Sequence, residues 1–115
     1  MSIQRLHIGP RMSEAVIHGN TVYLSGQVAE DGSTDVESQT RDVLRQIDAL
    51  LAEAGTDKER ILAATVYLAD IATFDSMNRA WEAWVSRANP PTRATVEARL
   101  AAPEYLVEIV VVAAR

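Results

Sequence analysis

Between residues 36 and 54, Val36, Thr40, Val43, Leu44, Ile47, Leu50, Leu51 and Ala54 recur at steps of three and four. That spacing lays an apolar stripe along one side of a helix. Thr34 and Glu37 fit a capping box at its start, and Gly55 fits the left-handed position past its end. A second stripe, Phe74, Met77, Trp81, Trp84, Val85 and Ala88, predicts a helix that starts near Thr73 and stops before Asn89-Pro90-Pro91. Both tryptophans fall on its apolar face and are read as core.

Shorter β-branched and aromatic runs surround these helices. Residues 14–18 and 21–28 flank Gly19-Asn20, the composition of a tight hairpin. The run ILAATVYLA at 61–69 predicts a strand, and so do 92–100 and 106–114 on either side of a turn-like AAPEY segment. The expected order is β-β-α-β-α-β-β in one domain over 1–115. Strands and helices mix without strict alternation, so the fold class is α+β, with an antiparallel or mixed sheet backed by two helices.

Alternation within the last two strands divides their faces. In 92–100, Ala94, Val96, Ala98 and Leu100 oppose Arg93, Thr95, Glu97 and Arg99, which predicts one dry face, on the alanine and valine side. In 106–114 both sides are apolar, the pattern of a strand covered twice, except that Glu108 shares a side with Leu106, Val110 and Val112. Two helices shield one face of such a sheet and hardly both. The cheapest cover for the other is a second copy of the chain, so a homo-oligomer is expected, with Glu108 at a seam between copies.

A carboxyl group at a partly dry seam can serve as a general acid or base, and the planar fork of Arg93 matches a carboxylate with two hydrogen bonds. The two residues together suggest a site for a small carboxylic acid; an ordinary salt bridge, or two solvated charges, is the plainer alternative. A hairpin between the last two strands would pair Glu108 close to Ala98 and leave Arg93 roughly 16 Å further along. Contact between them is therefore expected only across chains, or through a ligand they bracket.

Composition narrows the partners. Of 115 residues 48% are hydrophobic and 23% charged, which favours a folded globular chain. The formal charge is -5 and the arginines are scattered, which speaks against nucleic acid. Cysteine is absent, so disulfides and thiolate chemistry are excluded, and His7 and His18 stand at no metal-ligand spacing. No metal is expected. The opening MSIQRLHIGP lacks the apolar core of a secretory leader and no run is long enough to span a bilayer, so a cytoplasmic location is the expectation.

Several motifs in sequence order carry a resemblance: IGP at 8–10, GNTVYLSGQV at 19–28, QT at 39–40, LAEAG at 51–55, ATVYLADIATFDSMN at 64–78, PTRATVEARL at 91–100 and VEIVVVAA at 107–114. With these the chain resembles the Rid family of reactive-intermediate deaminases, also called YjgF or RutC-like. The resemblance implies a chorismate-mutase-like fold, three copies closing a central β-barrel, and ligand clefts between subunits. It further implies cofactor-free hydrolysis of enamine and imine acids of the 2-aminoacrylate and 2-iminopropanoate type to 2-keto acids and ammonia. Carried over by position, Arg93 grips the substrate carboxylate and Glu108 positions or activates water. Ser25 and Gly26 line the cleft, Asn78 is a polar neighbour, and Thr95 holds a place often taken by cysteine or serine.

Two departures stand out. Many deaminating members carry a tyrosine shortly after the early GP, where this chain has Arg11-Met12, and an acid two residues after the Glu108 position, here Val110. Activity and substrate preference are the properties these changes put in question. Arg11 either reaches the cleft or is solvated. A noncatalytic trimer that binds small acids or protects unfolded chains is the alternative function. The family's ribonuclease label fits poorly with an acidic chain that has no histidine pair and few stacking aromatics.

Overall fold

The computed structural model describes residues 2–115. Three strands come first: β1 (Ile3–Ile8), β2 (Ser13–His18) and β3 (Thr21–Leu24). Helix α1 (Val36–Glu53), strand β4 (Ile61–Leu68), helix α2 (Phe74–Trp84), and strands β5 (Thr92–Glu97) and β6 (Val107–Ala114) follow. They form one six-stranded sheet in the order β1-β2-β3-β6-β4-β5, antiparallel throughout except for the parallel pair β4 and β5. The mixed α+β architecture agrees with the sequence reading, and β1 adds a strand that the reading left out. Among the described residues no helix is long and apolar enough to cross a membrane.

The local chemistry explains most element ends. Gly19 (φ 61°) opens the β2–β3 turn, where a glycine at the first central position suits the twist of a hairpin. Helix α1 is capped by Asp35, whose carboxylate accepts from Ser38 N at 2.9 Å, and not by the expected pair Thr34 and Glu37. Glu37 instead turns outward to Arg41 and Arg79. Past the helix, Gly55 (φ 84°) takes the left-handed conformation expected of it. Helix α2 stops at Trp84, short of Ala88, because Val85 is already extended and Ser86 begins a turn in which its Oγ accepts from Asn89 N.

Both helices lie on one face of the sheet. There Ile17, Val22, Val66, Val107, Ile109 and Val111 pack against Val43, Leu44, Ile47, Leu51, Met77 and Trp81. Alternate residues of the same strands point to the open face, and the register places them side by side. Tyr23 stands opposite Val112, Thr65 opposite Val110, and Tyr67 opposite Glu108, with Ala94 and Val96 completing the row on β5. Tyr23 is 49% exposed and Val96 42%. The open apolar face inferred from helix count is therefore present in the single chain.

Two expectations about the last strands are corrected. Strands β5 and β6 are not a hairpin: β4 lies between them, and Glu108 stands opposite Tyr67 rather than near Ala98. On β5, which ends at Glu97 and not at residue 100, the helix-covered side is that of Arg93 and Thr95, while Ala94 and Val96 look outward. A half-buried arginine under a helix of aromatic residues satisfies packing as well as an alanine would, so alternation alone assigned the dry side wrongly.

Candidate functional site

Arg93 rises from β5 into the inner surface of α2. Its Nη1 donates to Asn78 Oδ1 at 2.8 Å and lies 3.8 Å from Met77 Sδ. The guanidinium carbon stands 5.2 Å from the Trp81 ring centroid and 5.7 Å from that of Phe74, a distance at which aromatic faces attract a cation. Burial lowers the affinity of Arg93 for its proton, and the nearby charge of Glu82 acts in the opposite sense. Among the described residues no carboxylate forms an ion pair with Arg93. Its neighbour on the same face, Thr95, has a buried Oγ1 with no hydrogen-bond partner among the described residues.

The second cluster forms where β3 breaks. The expected strand over 21–28 ends at Leu24, and only Gln27 rejoins the sheet, exchanging backbone hydrogen bonds of 3.0 and 3.1 Å with Ile109. The turn between them presents Gly26 to Glu108: a Cβ built on Gly26 would lie 2.0 Å from Glu108 Oε2. A side chain at Gly26 would displace the carboxylate from this position. Glu14 of β2 secures the turn from the other side, accepting from Ser25 Oγ at 3.2 Å and Gln27 Nε2 at 3.0 Å. Ser25 N also donates to the Glu14 carbonyl.

The six residues singled out in the sequence thus fall into two groups. Arg93, Asn78 and Thr95 meet under α2, while Ser25, Gly26 and Glu108 meet at the break in β3. Arg93 is on the helix-covered face and Glu108 on the open one, so one chain does not bring them together. A surface depression beside the end of β5, lined by Glu97, Arg99, Leu100, Pro103 and Tyr105 among others, contains neither residue. Sequence reasoning missed Glu14, Gln27 and Trp81 as neighbours of these groups. Trp81 was read as core and is core, yet its ring also faces Arg93. His7 bonds Glu53, and no metal-ligating cluster of histidine and acid is formed among the described residues.

Comparison with known proteins decides the family. The family model described as Endoribonuclease L-PSP matches residues 3–115. The chain belongs to this L-PSP, or RutC/YjgF, family. A RutC family protein of Haemophilus ducreyi is 51% identical over 112 residues, covering 97% of this chain and 96% of that protein. The RutC family protein YoaB of Escherichia coli is 47% identical over 114 residues, 99% of each. Among solved structures, a YjgF family member from Neisseria meningitidis superimposes with a TM-score of 0.98 at 47% identity, covering 100% of this chain and 96% of that one. RutC family membership agrees with the resemblance read from the motifs.

Proposed function

We propose that this RutC family protein hydrolyses small 2-imino and enamine carboxylic acids to 2-keto acids and ammonia, without a cofactor, in clefts between the subunits of a homotrimer. The observation that carries the reading is Arg93: a half-buried guanidinium, steered by Asn78 and two aromatic faces, with no carboxylate paired to it among the described residues. A substrate carboxylate supplies the missing counter-charge in bidentate form. The buried Thr95 hydroxyl on the same face of β5, unpartnered among the described residues, supports a polar guest at the same place.

Glu108 belongs to the opposite face, which fits a cleft completed by a neighbouring copy docked on the open apolar side. Water held by Glu108 adds to C2 of the protonated imine as the carboxylate takes its proton, and the C=N π pair moves to nitrogen. Glu108 returns that proton to the carbinolamine nitrogen; the C–N bond then breaks with its electron pair leaving on ammonia, C=O forms, and the hydroxyl proton passes back to Glu108. An enamine enters the same route after protonation at C3. The protein's part is to hold the carboxylate, place the water and exchange one proton.

The test is ammonia release from 2-aminoacrylate generated in situ, with wild type and Arg93→Ala side by side. Acceleration over buffer by the wild type, reduced about 100-fold in kcat/KM by Arg93→Ala, is expected. No acceleration by wild type, with binding of keto acids intact, would replace the enzyme with a small-acid-binding trimer.

A further inference from the structure

The motifs assign no role to Glu14, yet its side chain touches both flanks of the Gly26 turn. Ser25 Oγ donates to Glu14 Oε2 at 3.2 Å, and the two Gln27 amide protons are shared among the same carboxylate oxygen at 3.0 Å, the Ser25 carbonyl at 3.1 Å and Ser25 Oγ at 3.2 Å. Gln27 is 5% exposed and its backbone is tied to Ile109 on both its N–H and C=O, so the amide has little freedom to leave. A carboxylate only accepts hydrogen bonds, whereas a hydroxyl has one proton and two lone pairs. The Ser25 proton is therefore committed to Glu14, and what Ser25 has left to offer is an acceptor.

We propose that Glu14 is a positioning residue which fixes the Ser25 hydroxyl as a hydrogen-bond acceptor, so that the cleft selects ligands bearing an N–H group at C2 over those bearing a carbonyl oxygen there. This rests on the reading above that Ser25 and Gly26 border the substrate cleft. An acceptor beside C2 welcomes the protonated imine and turns away the 2-keto acid, whose oxygen would face a lone pair. The arrangement separates substrate from product by chemistry rather than by size, since the two have nearly the same shape.

The probes are L-alanine and pyruvate, which share a skeleton and differ at C2 in the required way, titrated calorimetrically into the intact oligomer. Wild type is expected to bind alanine at least tenfold tighter than pyruvate. Ser25→Ala, Glu14→Ala and the double variant should each lose that preference to the same extent, because they remove one acceptor. Glu14→Met, which keeps the length of the side chain, serves should Glu14→Ala fail to fold. Glu14→Gln retains an accepting oxygen without the charge and should keep the preference within about threefold.

A preference lost equally in Glu14→Gln would show attraction between charges instead, and would overturn the inference. So would a wild type that binds both probes alike, or losses that multiply in the double variant. If neither probe binds wild type, the inference falls together with the carboxylate site. If the selectivity pattern holds while 2-aminoacrylate is not turned over, the inference stands and the deaminase reading fails.

Discussion

The carboxylate of Glu108 lies over Gly26 so closely that a single methyl group at that position would overlap its Oε2, at 2.0 Å, and press on its Cδ, at 2.9 Å. Strand β6 brings the acid, the break in β3 brings the glycine, and the Gln27–Ile109 backbone pair keys one to the other.

Gly26→Ala follows directly from this contact. Gly26 is not among the residues with positive φ, so alanine fits its backbone, and the colliding atoms are mostly the far end of a flexible side chain. The variant should unfold in urea within about 1 kcal/mol of wild type. The carboxylate, however, must move away from its place. Ammonia release from imines is expected to fall at least tenfold, with kcat affected more than KM. Full activity in the variant would remove Glu108 from the chemistry.

The open face makes a separate prediction about assembly. Val96 is 42% exposed and stands opposite Tyr67, which in turn stands opposite Glu108. Val96→Asp places a charge where an apolar contact between copies is proposed. Sedimentation should show smaller species than wild type at the same concentration, and imine hydrolysis should be lost with them. An unchanged sedimentation coefficient would mean that this edge of the face lies outside the contact.

Gln39 gives a prediction about stability alone. It is 3% exposed, and its amide donates to the carbonyls of Ser33 and Glu104 while its Oε1 accepts from Leu106 N. This one side chain stitches the loop ahead of α1 to the loop ahead of β6. Gln39→Ala removes the side-chain partner of three backbone groups and should cost about 2 kcal/mol in urea unfolding. Gln39→Glu should be no better, because a carboxylate offers no proton to the two carbonyls.

The Asp35 cap predicts a pH dependence. Hydrogen bonds from Ser38 hold the Asp35 carboxyl below its ordinary value of 3.8. A group depressed on folding stabilises the folded chain fully above its unfolded value and loses that contribution as pH falls through the folded one. Thermal unfolding between pH 5 and 2 should therefore show a decline that is shallower in Asp35→Asn, which keeps an accepting oxygen without a titrating group.

The two helices were legible because their apolar residues repeat at 3.6 and their exteriors are charged. Helix α1 matches its stripe from Val36 to Leu51 almost residue for residue. Strand β1 was not legible: IQRLHI carries no clean alternation and is mostly exposed at the sheet edge, so burial wrote no pattern into it. The neighbour relation of β5 and β6 was misread because consecutive strands were assumed to pair, while β6 enters between β3 and β4. The candidate site was legible as residue types through the family motifs. Its division between two faces was not, because the face of Arg93 is set by aromatic contacts from α2 that strand alternation does not encode.

Parallel neighbours cannot be joined by a tight turn; the chain must climb back over the sheet to begin its second strand in the same direction. Between β4 and β5 that return journey is α2 itself. The socket that receives the guanidinium, with Asn78 at one wall and Trp81 at another, is thus furnished by the segment that topology already demands. Changes along the inner side of this connecting helix become a route for retuning the arginine's reach without altering a single residue of the strand that carries it.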